Sequence, residues 1–379
     1  MKIAIVAPFF TPFVKSNEYW LATHLVRAGH EVHFITSSAK APREYQKVAS
    51  DIDLPFQVRY VKTIASIKEN PVVLSLRKFL DDSYDVFLLQ EDYPLICHAA
   101  FQYARKRRIP VVVSSERYYY PQDLFKRLPL WFFDKTVNRR LWKGCDLITT
   151  HTYAAKAFLS KIGADETKIS VIPTGIDAQS FVPMRDSSFR EKHDAVGKIL
   201  ILTVARLHPY KGLNYLIQSM EHVVSTNKDV KLIILGKGSQ EDFLRDLVES
   251  LHLQDYITID TEVISNEKMP AVYNTADLYV QPSIIEPFGI AVLEAMACGK
   301  PAIGTLVGGM LDTVVDNKTG FLVPPADIQS LADRISYLCE EHRLREEFGQ
   351  RGRDRASSLF DWSVVSRQYE NYISQIIKA

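Results

Sequence analysis

Short runs of β-branched and aliphatic residues alternate with stretches of helical period from one end of this 379-residue chain to the other. In the first half Lys2–Ala7, Glu31–Thr36, Gln57–Val61, Val86–Gln90, Val111–Ser114, Leu147–Thr150 and Ser170–Ile172 read as strands. The second half repeats the pattern at Ile199–Val204, Lys231–Leu235, Tyr256–Ile259, Leu278–Gln281 and Ala302–Ile303. Helical segments lie between them; the first spans about residues 17–28 and stops at Gly29. This alternation predicts an α/β protein of parallel sheets layered with helices. The length exceeds one typical core, so two domains are expected. The break falls after Pro173-Thr-Gly-Ile-Asp177, where a polar run over residues 185–194 loses the strand period. We therefore expect a first domain over 1–178, a linker over 179–197, a second domain over 198–360 and a terminal helical segment over 361–379.

The strongest chemistry is Glu-Pro-Phe-Gly-Ile-Ala-Val-Leu-Glu-Ala-Met-Ala-Cys-Gly-Lys-Pro at residues 286–301. Glu286 sits in a turn made by Pro287 and Gly289. Glu294 is the only charge in the apolar run Ile290–Cys298, which reads as a helix closed by Gly299. A helix starting near Gly289 offers the free N–H groups of its first turn to a phosphate. Glu294 lies about 6 Å further along the axis, within reach of hydroxyls attached to that phosphate. Arg206 and Lys211 follow the strand Ile199–Val204 and precede another helix. Two cations at a strand's carboxyl end suit a diphosphate, Arg as a planar fork and Lys as a mobile point charge. Gly236-Lys237-Gly238 also joins a strand to a helix, a weaker signal that a tight turn alone would explain.

These motifs resemble the acid–seven–acid signature of retaining glycosyltransferase family 4. The resemblance runs from Lys2-Ile-Ala-Ile-Val-Ala-Pro8 to Pro324-Pro-Ala-Asp327 and is strongest in residues 204–212, 235–238 and 286–301. It implies the GT-B architecture, two Rossmann-like domains facing a central cleft, with the terminal helix crossing back to the first. The implied activity is transfer of a hexose-type sugar from a UDP- or GDP-linked donor to a hydroxyl acceptor, with retention and without a metal or other cofactor. By the same resemblance Arg206 and Lys211 clamp the leaving diphosphate, Glu286 contacts the donor sugar and Glu294 the ribose. Gly236, Lys237, Ile264, Phe288, Gly289, Ile290 and Ala291 complete the donor side, and the acceptor is a glycan or a lipid-linked sugar. Alternatives are a GT-B epimerase or phosphorylase, or a non-catalytic sugar-nucleotide binding subunit.

The first half departs from the family pattern. Lys15 and Ser16 stand where glycines are usual, ahead of Asn17 and Glu18, and Glu116 stands where many members have histidine. Glu116 is a candidate general base or sugar ligand. Lys15, Asn17 and Arg117 are candidates for the acceptor side, where the two cations would favour an anionic acceptor.

The formal charge of +1 argues against a general nucleic-acid binder. Cys97, Cys145, Cys298 and Cys339 are widely spaced, which fits buried free thiols and a cytoplasmic protein. His30-Glu-Val-His33 falls at the start of a predicted strand, so the two rings would point to opposite faces rather than form a metal site. Residues 124–143 mix six basic residues with bulky apolar ones. Packing on the first sheet is expected for residues 134–143, with Val137, Leu141 and Trp142 inward. For Leu124–Phe133 peripheral contact with the inner face of a membrane is the competing reading.

Overall fold

Parallel pairing organises both halves of the chain. A computed structural model describes residues 1–11, 15–39, 53–67, 70–121 and 123–378, and it divides into two units, Met1–Gly175 with Trp362–Ala379, and Ile176–Asp361.

The first unit contains β1 (Lys2–Ala7), α1 (Asn17–Arg27), β2 (Glu31–Ser37), β3 (Gln57–Val61), β4 (Thr63–Ile67), β5 (Asn70–Val73), β6 (Val86–Gln90), α2 (Leu95–Arg107) and β7 (Val111–Ser114). It continues through α3 (Leu124–Phe133), α4 (Arg139–Gly144), β8 (Leu147–Thr150), α5 (Tyr153–Ile162) and β9 (Ile169–Val171). Its main sheet runs in the order β3-β2-β1-β6-β7-β8-β9, all parallel, while β4 and β5 form a separate antiparallel pair. The sheet is buried on both faces, which is why its strands are short and almost wholly apolar.

The second unit comprises α6 (Ser188–Lys192), β10 (Ile199–Val204), α7 (Leu213–Thr226), β11 (Val230–Leu235), α8 (Glu241–Ser250), β12 (Ile257–Asp260), α9 (Met269–Thr275) and β13 (Leu278–Gln281). Then follow α10 (Ile290–Ala297), β14 (Ala302–Thr305), α11 (Met310–Thr313), β15 (Gly320–Val323), α12 (Ile328–Glu340) and α13 (His342–Leu359). Its parallel sheet has the order β12-β11-β10-β13-β14-β15. Strand order reverses between β1 and β6 in one unit and between β10 and β13 in the other. Ligands of open parallel sheets gather at the carboxyl ends beside such reversals.

The last helix, α14 (Trp362–Lys378), belongs to the first unit. Trp362, Val365, Tyr369 and Ile373 form its buried stripe, in one cluster with Leu21 and Leu25 of α1 and Ile3 and Ile5 of β1.

The segment 179–197 is not a free linker. Phe181, Phe189 and Ala195 are buried in the second unit's core. Arg190 donates through Nη2 to Asp277 Oδ2 at 2.6 Å and through Nε to the Thr275 carbonyl at 2.7 Å. Three apolar anchors within a polar run suffice to pin it.

Val137 is a second correction: it is exposed, whereas Leu141 and Trp142 are buried as expected. Residues Asp134–Asn138 form a π-helical turn that directs Asp134 and Asn138 inward instead. All four cysteines are free and buried. Among the described residues no helix is long and apolar enough to cross a membrane.

Candidate active site

The loops after β10 and β13 lie side by side because those strands are neighbours. The Ile284 and Ile285 N–H groups donate to the Tyr210 carbonyl at 2.8 and 3.2 Å. Within this joint Lys211 Nζ donates to Glu286 Oε2 at 2.6 Å, and Ser283 Oγ donates to the same oxygen at 2.9 Å. Gln281 Nε2 supports Ser283 Oγ at 2.9 Å. Glu286 is only 6% exposed, so two donors fix its carboxylate in a pocket with little water. The exposed Arg206 guanidinium lies 5.4 Å from the Tyr210 ring centroid, and Lys211 Nζ lies 5.5 Å from the same ring. One aromatic platform thus carries both cations.

Gly289 caps α10, and the first intrahelical bonds run from Val292 and Leu293 N–H to the Gly289 carbonyl. The N–H groups of Ile290 and Ala291 belong to the first turn, which supplies no helical acceptor. Ile290 is exposed and Ala291 half-buried, whereas Phe288 is buried with its ring 6.0 Å from Phe360. Farther along the helix, Tyr273 donates its hydroxyl to Glu294 Oε2 at 2.7 Å. Burial pushes the Glu294 carboxyl up to about 7, although the Tyr273 bond pulls the other way.

Gly236 and Gly238 have a packing reason. A Cβ at Gly236 would stand 1.9 Å from the Ala205 carbonyl oxygen, and one at Gly238 2.2 Å from that of Leu207. Their absence of side chains lets the β11 loop press on the loop that carries Arg206. Lys237 between them is exposed, and Ile264, past the end of β12, is partly buried against the core.

A different constellation lies in the first unit, where Glu18, Glu91, Glu116 and His151 follow β1, β6, β7 and β8. The His151 ring is buried; Nδ1 lies 2.9 Å from the Ile172 carbonyl and Nε2 3.1 Å from Glu116 Oε1. A carbonyl only accepts, so Nδ1 carries a proton, and Nε2 and Glu116 share a second. Asn17 Nδ2 reaches Glu116 Oε1 and Thr174 Oγ1, each at 3.4 Å. Burial alone would lower His151, but Glu116 offsets it and holds the imidazole above its ordinary value. Burial raises Glu18, and it raises Glu91 well above its ordinary value with Glu116 adding to the effect. Glu91 also has φ of 78°, a strained conformation for a side-chain-bearing residue at a strand end. Burial pushes the Tyr369 phenol of α14 up to about 12, with Glu116 and Glu18 contributing.

Comparison with known proteins decides what these loops belong to. The family model for glycosyl transferases group 1 matches residues 185–355, and that for glycosyltransferase family 4 matches residues 19–180. The chain belongs to glycosyltransferase family 4. It is 26% identical to an uncharacterized glycosyltransferase of Methanocaldococcus jannaschii, over 98% of this chain and 97% of that one. It is 28% identical to a GDP-mannose-dependent α-(1-6)-phosphatidylinositol monomannoside mannosyltransferase of Mycolicibacterium smegmatis, over 63% of this chain and 65% of that enzyme. The crystal structure of Anabaena HepE in complex with UDP superposes with a TM-score of 0.81 at 19% identity, covering 99% of this chain and all of that one. The fold is GT-B, and the protein is a glycosyltransferase.

Among the residues expected on the donor side, Lys211 and Glu286 touch, Arg206 shares their aromatic platform, and Phe288 and Gly289 lead into the helix that carries Ile290, Ala291 and Glu294. In the first unit Asn17 and Glu116 come together. Arg117 is a correction. Its guanidinium is turned inward and donates from Nη1 and Nη2 to the two Asp134 oxygens at 2.9 and 2.7 Å, with Asp92 Oδ1 at 4.0 Å. Asp134 is buried in the π-helical turn, so the Arg117 guanidinium is engaged by an internal acid. The Lys15 ammonium lies 5.7 Å from the Trp20 ring.

Sequence reasoning passed over Gly309, Tyr273, Glu91 and His151. A Cβ at Gly309 would lie 2.3 Å from Phe288 Cα, and its N–H donates to the Glu286 carbonyl at 3.0 Å. The Gly308-Gly309 pair, and an acid directly after the apolar run Val86–Gln90, were the available signals. Among the described residues no group of three or more His, Cys, Asp or Glu side chains is placed to hold a metal ion.

Proposed function

We propose that the protein transfers a hexose-type sugar from a UDP- or GDP-linked donor to a hydroxyl acceptor with retention of configuration and without a required metal. The Lys211–Glu286 pair beside the start of α10 carries this reading. The donor diphosphate is received by Arg206, Lys211 and the first-turn N–H groups of α10. As the sugar–phosphate bond breaks, negative charge grows on the leaving oxygen, and fixed cations there stabilise the transition state more than the ground state. Glu286 accepts hydrogen bonds from donor sugar hydroxyls, and Glu294 from the ribose. Because the Glu286 carboxylate is already bound by Lys211 and Ser283, it is poorly suited to act as a nucleophile. That favours attack by the acceptor hydroxyl on the face the diphosphate leaves, with a phosphate oxygen taking its proton.

The acceptor hydroxyl group is received near Glu116, Asn17 and His151 of the first unit. With Arg117 committed to Asp134, the acids there favour a neutral acceptor group over an anionic one. The test is incubation with UDP- and GDP-hexoses and hydroxyl acceptors in the presence of a chelator, with NMR of the product's anomeric centre. An α-donor yielding an α-product in EDTA is expected. An inverted product, or transfer lost in EDTA and restored by manganese, contradicts the mechanism.

A further inference from the structure

Helix α3 buries none of its ten residues. Phe125 is 89% exposed, Phe132 64%, Leu124 60%, Leu128 53% and Trp131 46%. At about 100° per residue these five side chains fall within an arc of roughly 120°, a continuous apolar stripe aimed at solvent. The helix is nevertheless held firmly. Asp123 caps it by accepting from the Phe125 N–H at 2.9 Å. Phe133 turns the other way, with its ring 5.0 Å from Tyr93 and 5.3 Å from His98. The following turn is fastened by the buried Asp134, and α4 by the buried Leu141 and Trp142. A rigid, solvent-facing stripe of this kind marks a surface that something covers.

Charge says what covers it. Lys126, Arg127, Lys135, Arg139, Arg140 and Lys143 are all exposed along α3, the π-helical turn and α4. The one acid in residues 124–143 is Asp134, which Arg117 already neutralises. The chain as a whole carries a formal charge of only +1, so this density of cations is local. Apolar side chains to enter acyl chains and basic side chains to meet headgroups are the two requirements of an interfacial helix. We infer that α3, with the basic flank of α4, is a docking face that seats the protein on an anionic lipid bilayer. The helix lies in the plane of the interface, since ten residues are too few to span a bilayer.

The experiment is co-sedimentation of the full chain with phosphatidylglycerol-containing and with pure phosphatidylcholine vesicles, with tryptophan fluorescence as a second readout. Binding is expected to the anionic vesicles, to weaken as salt is raised, and to blue-shift the emission through Trp131. The triple variant Phe125→Ser/Trp131→Ser/Phe132→Ser should lower the partition constant at least about tenfold. Reversing Arg139 and Arg140 to Glu should lower it by about fivefold or more per residue changed. Donor hydrolysis in solution should be unchanged in both. Should the triple variant fold poorly, Phe125→Ser alone, checked by its melting curve, gives the same direction. Equal binding to neutral and anionic vesicles, or binding untouched by the serine changes, overturns the assignment. So does a dimer in solution that the serine changes dissociate while vesicles are ignored, which would assign the stripe to a second copy of this chain.

Discussion

At the strand ends of the second unit the side chains proposed to meet the donor include two cations, Arg206 and Lys211, beside Glu286 and the open first turn of α10. At the same ends of the first unit the side chains are acids, Glu18, Glu91 and Glu116, around one buried imidazole. The topology is alike in the two units, so the difference comes from the residues placed on it. A parallel sheet supplies strand ends and helix N-termini; side-chain charge then sets which ligand chemistry each end favours. Both units contain an arginine just past a strand, yet only Arg206 is available to a ligand. Arg117 is spent on Asp134.

The contrast between the two arginines gives the largest expected effects. Arg117→Ala removes the counter-charge of the buried Asp134 carboxylate, leaving Tyr120 and Asn138 as its donors, and should cost about 3–5 kcal/mol in chemical denaturation. Arg206→Ala should leave that curve unchanged. Lys211→Ala should lower kcat by about 10²–10³-fold in steady-state transfer at saturating donor, with Arg206→Ala in the same direction. Unchanged turnover in both would remove the leaving-group role from the second unit. Next comes Glu294, whose carboxyl is raised to about 7 by burial. A carboxyl raised in the folded state contributes stability that is complete below its unfolded value near 4.5 and is lost as pH rises through about 7. Glu294→Gln should therefore gain on the wild type as pH rises from 5 to 8, by at most about 3 kcal/mol. The same variant should weaken binding of the bare nucleoside diphosphate. The smallest effects belong to the first unit. His151→Gln and Glu116→Gln should raise the acceptor's KM by about tenfold, the value of one hydrogen bond, with donor hydrolysis nearly constant. An equal loss of hydrolysis would place the acid cluster on the donor instead.

How much of this was legible in the sequence follows the same division. Most residues proposed for the donor lie in two contiguous stretches, residues 206–212 and 286–294, so their spacing together with the family resemblance brings these cations and acids into view. The first unit's constellation is assembled from the ends of four strands, and Glu18, Glu91, Glu116 and His151 are too far apart in the chain to read as one group. Local surprises hid the rest. The π-helical turn at Asp134–Asn138 rotated Val137 outward, against the period that was expected to bury it. Phe181 and Phe189 looked incidental in a polar run, yet they fasten residues 179–197 to the second unit's core. The strand β15 is only four residues long and escaped notice, as did the β4–β5 pair, which lies apart from the main sheet.

The most direct test is calorimetric titration of UDP and GDP, in EDTA, into the wild type and into Lys211→Ala and Glu116→Gln. The account predicts that one nucleotide binds the wild type without metal, that Lys211→Ala weakens it by at least about tenfold, and that Glu116→Gln leaves it unchanged. Binding that requires magnesium or manganese, or that falls equally in both variants, would contradict the assignment of the diphosphate to the cations of the second unit.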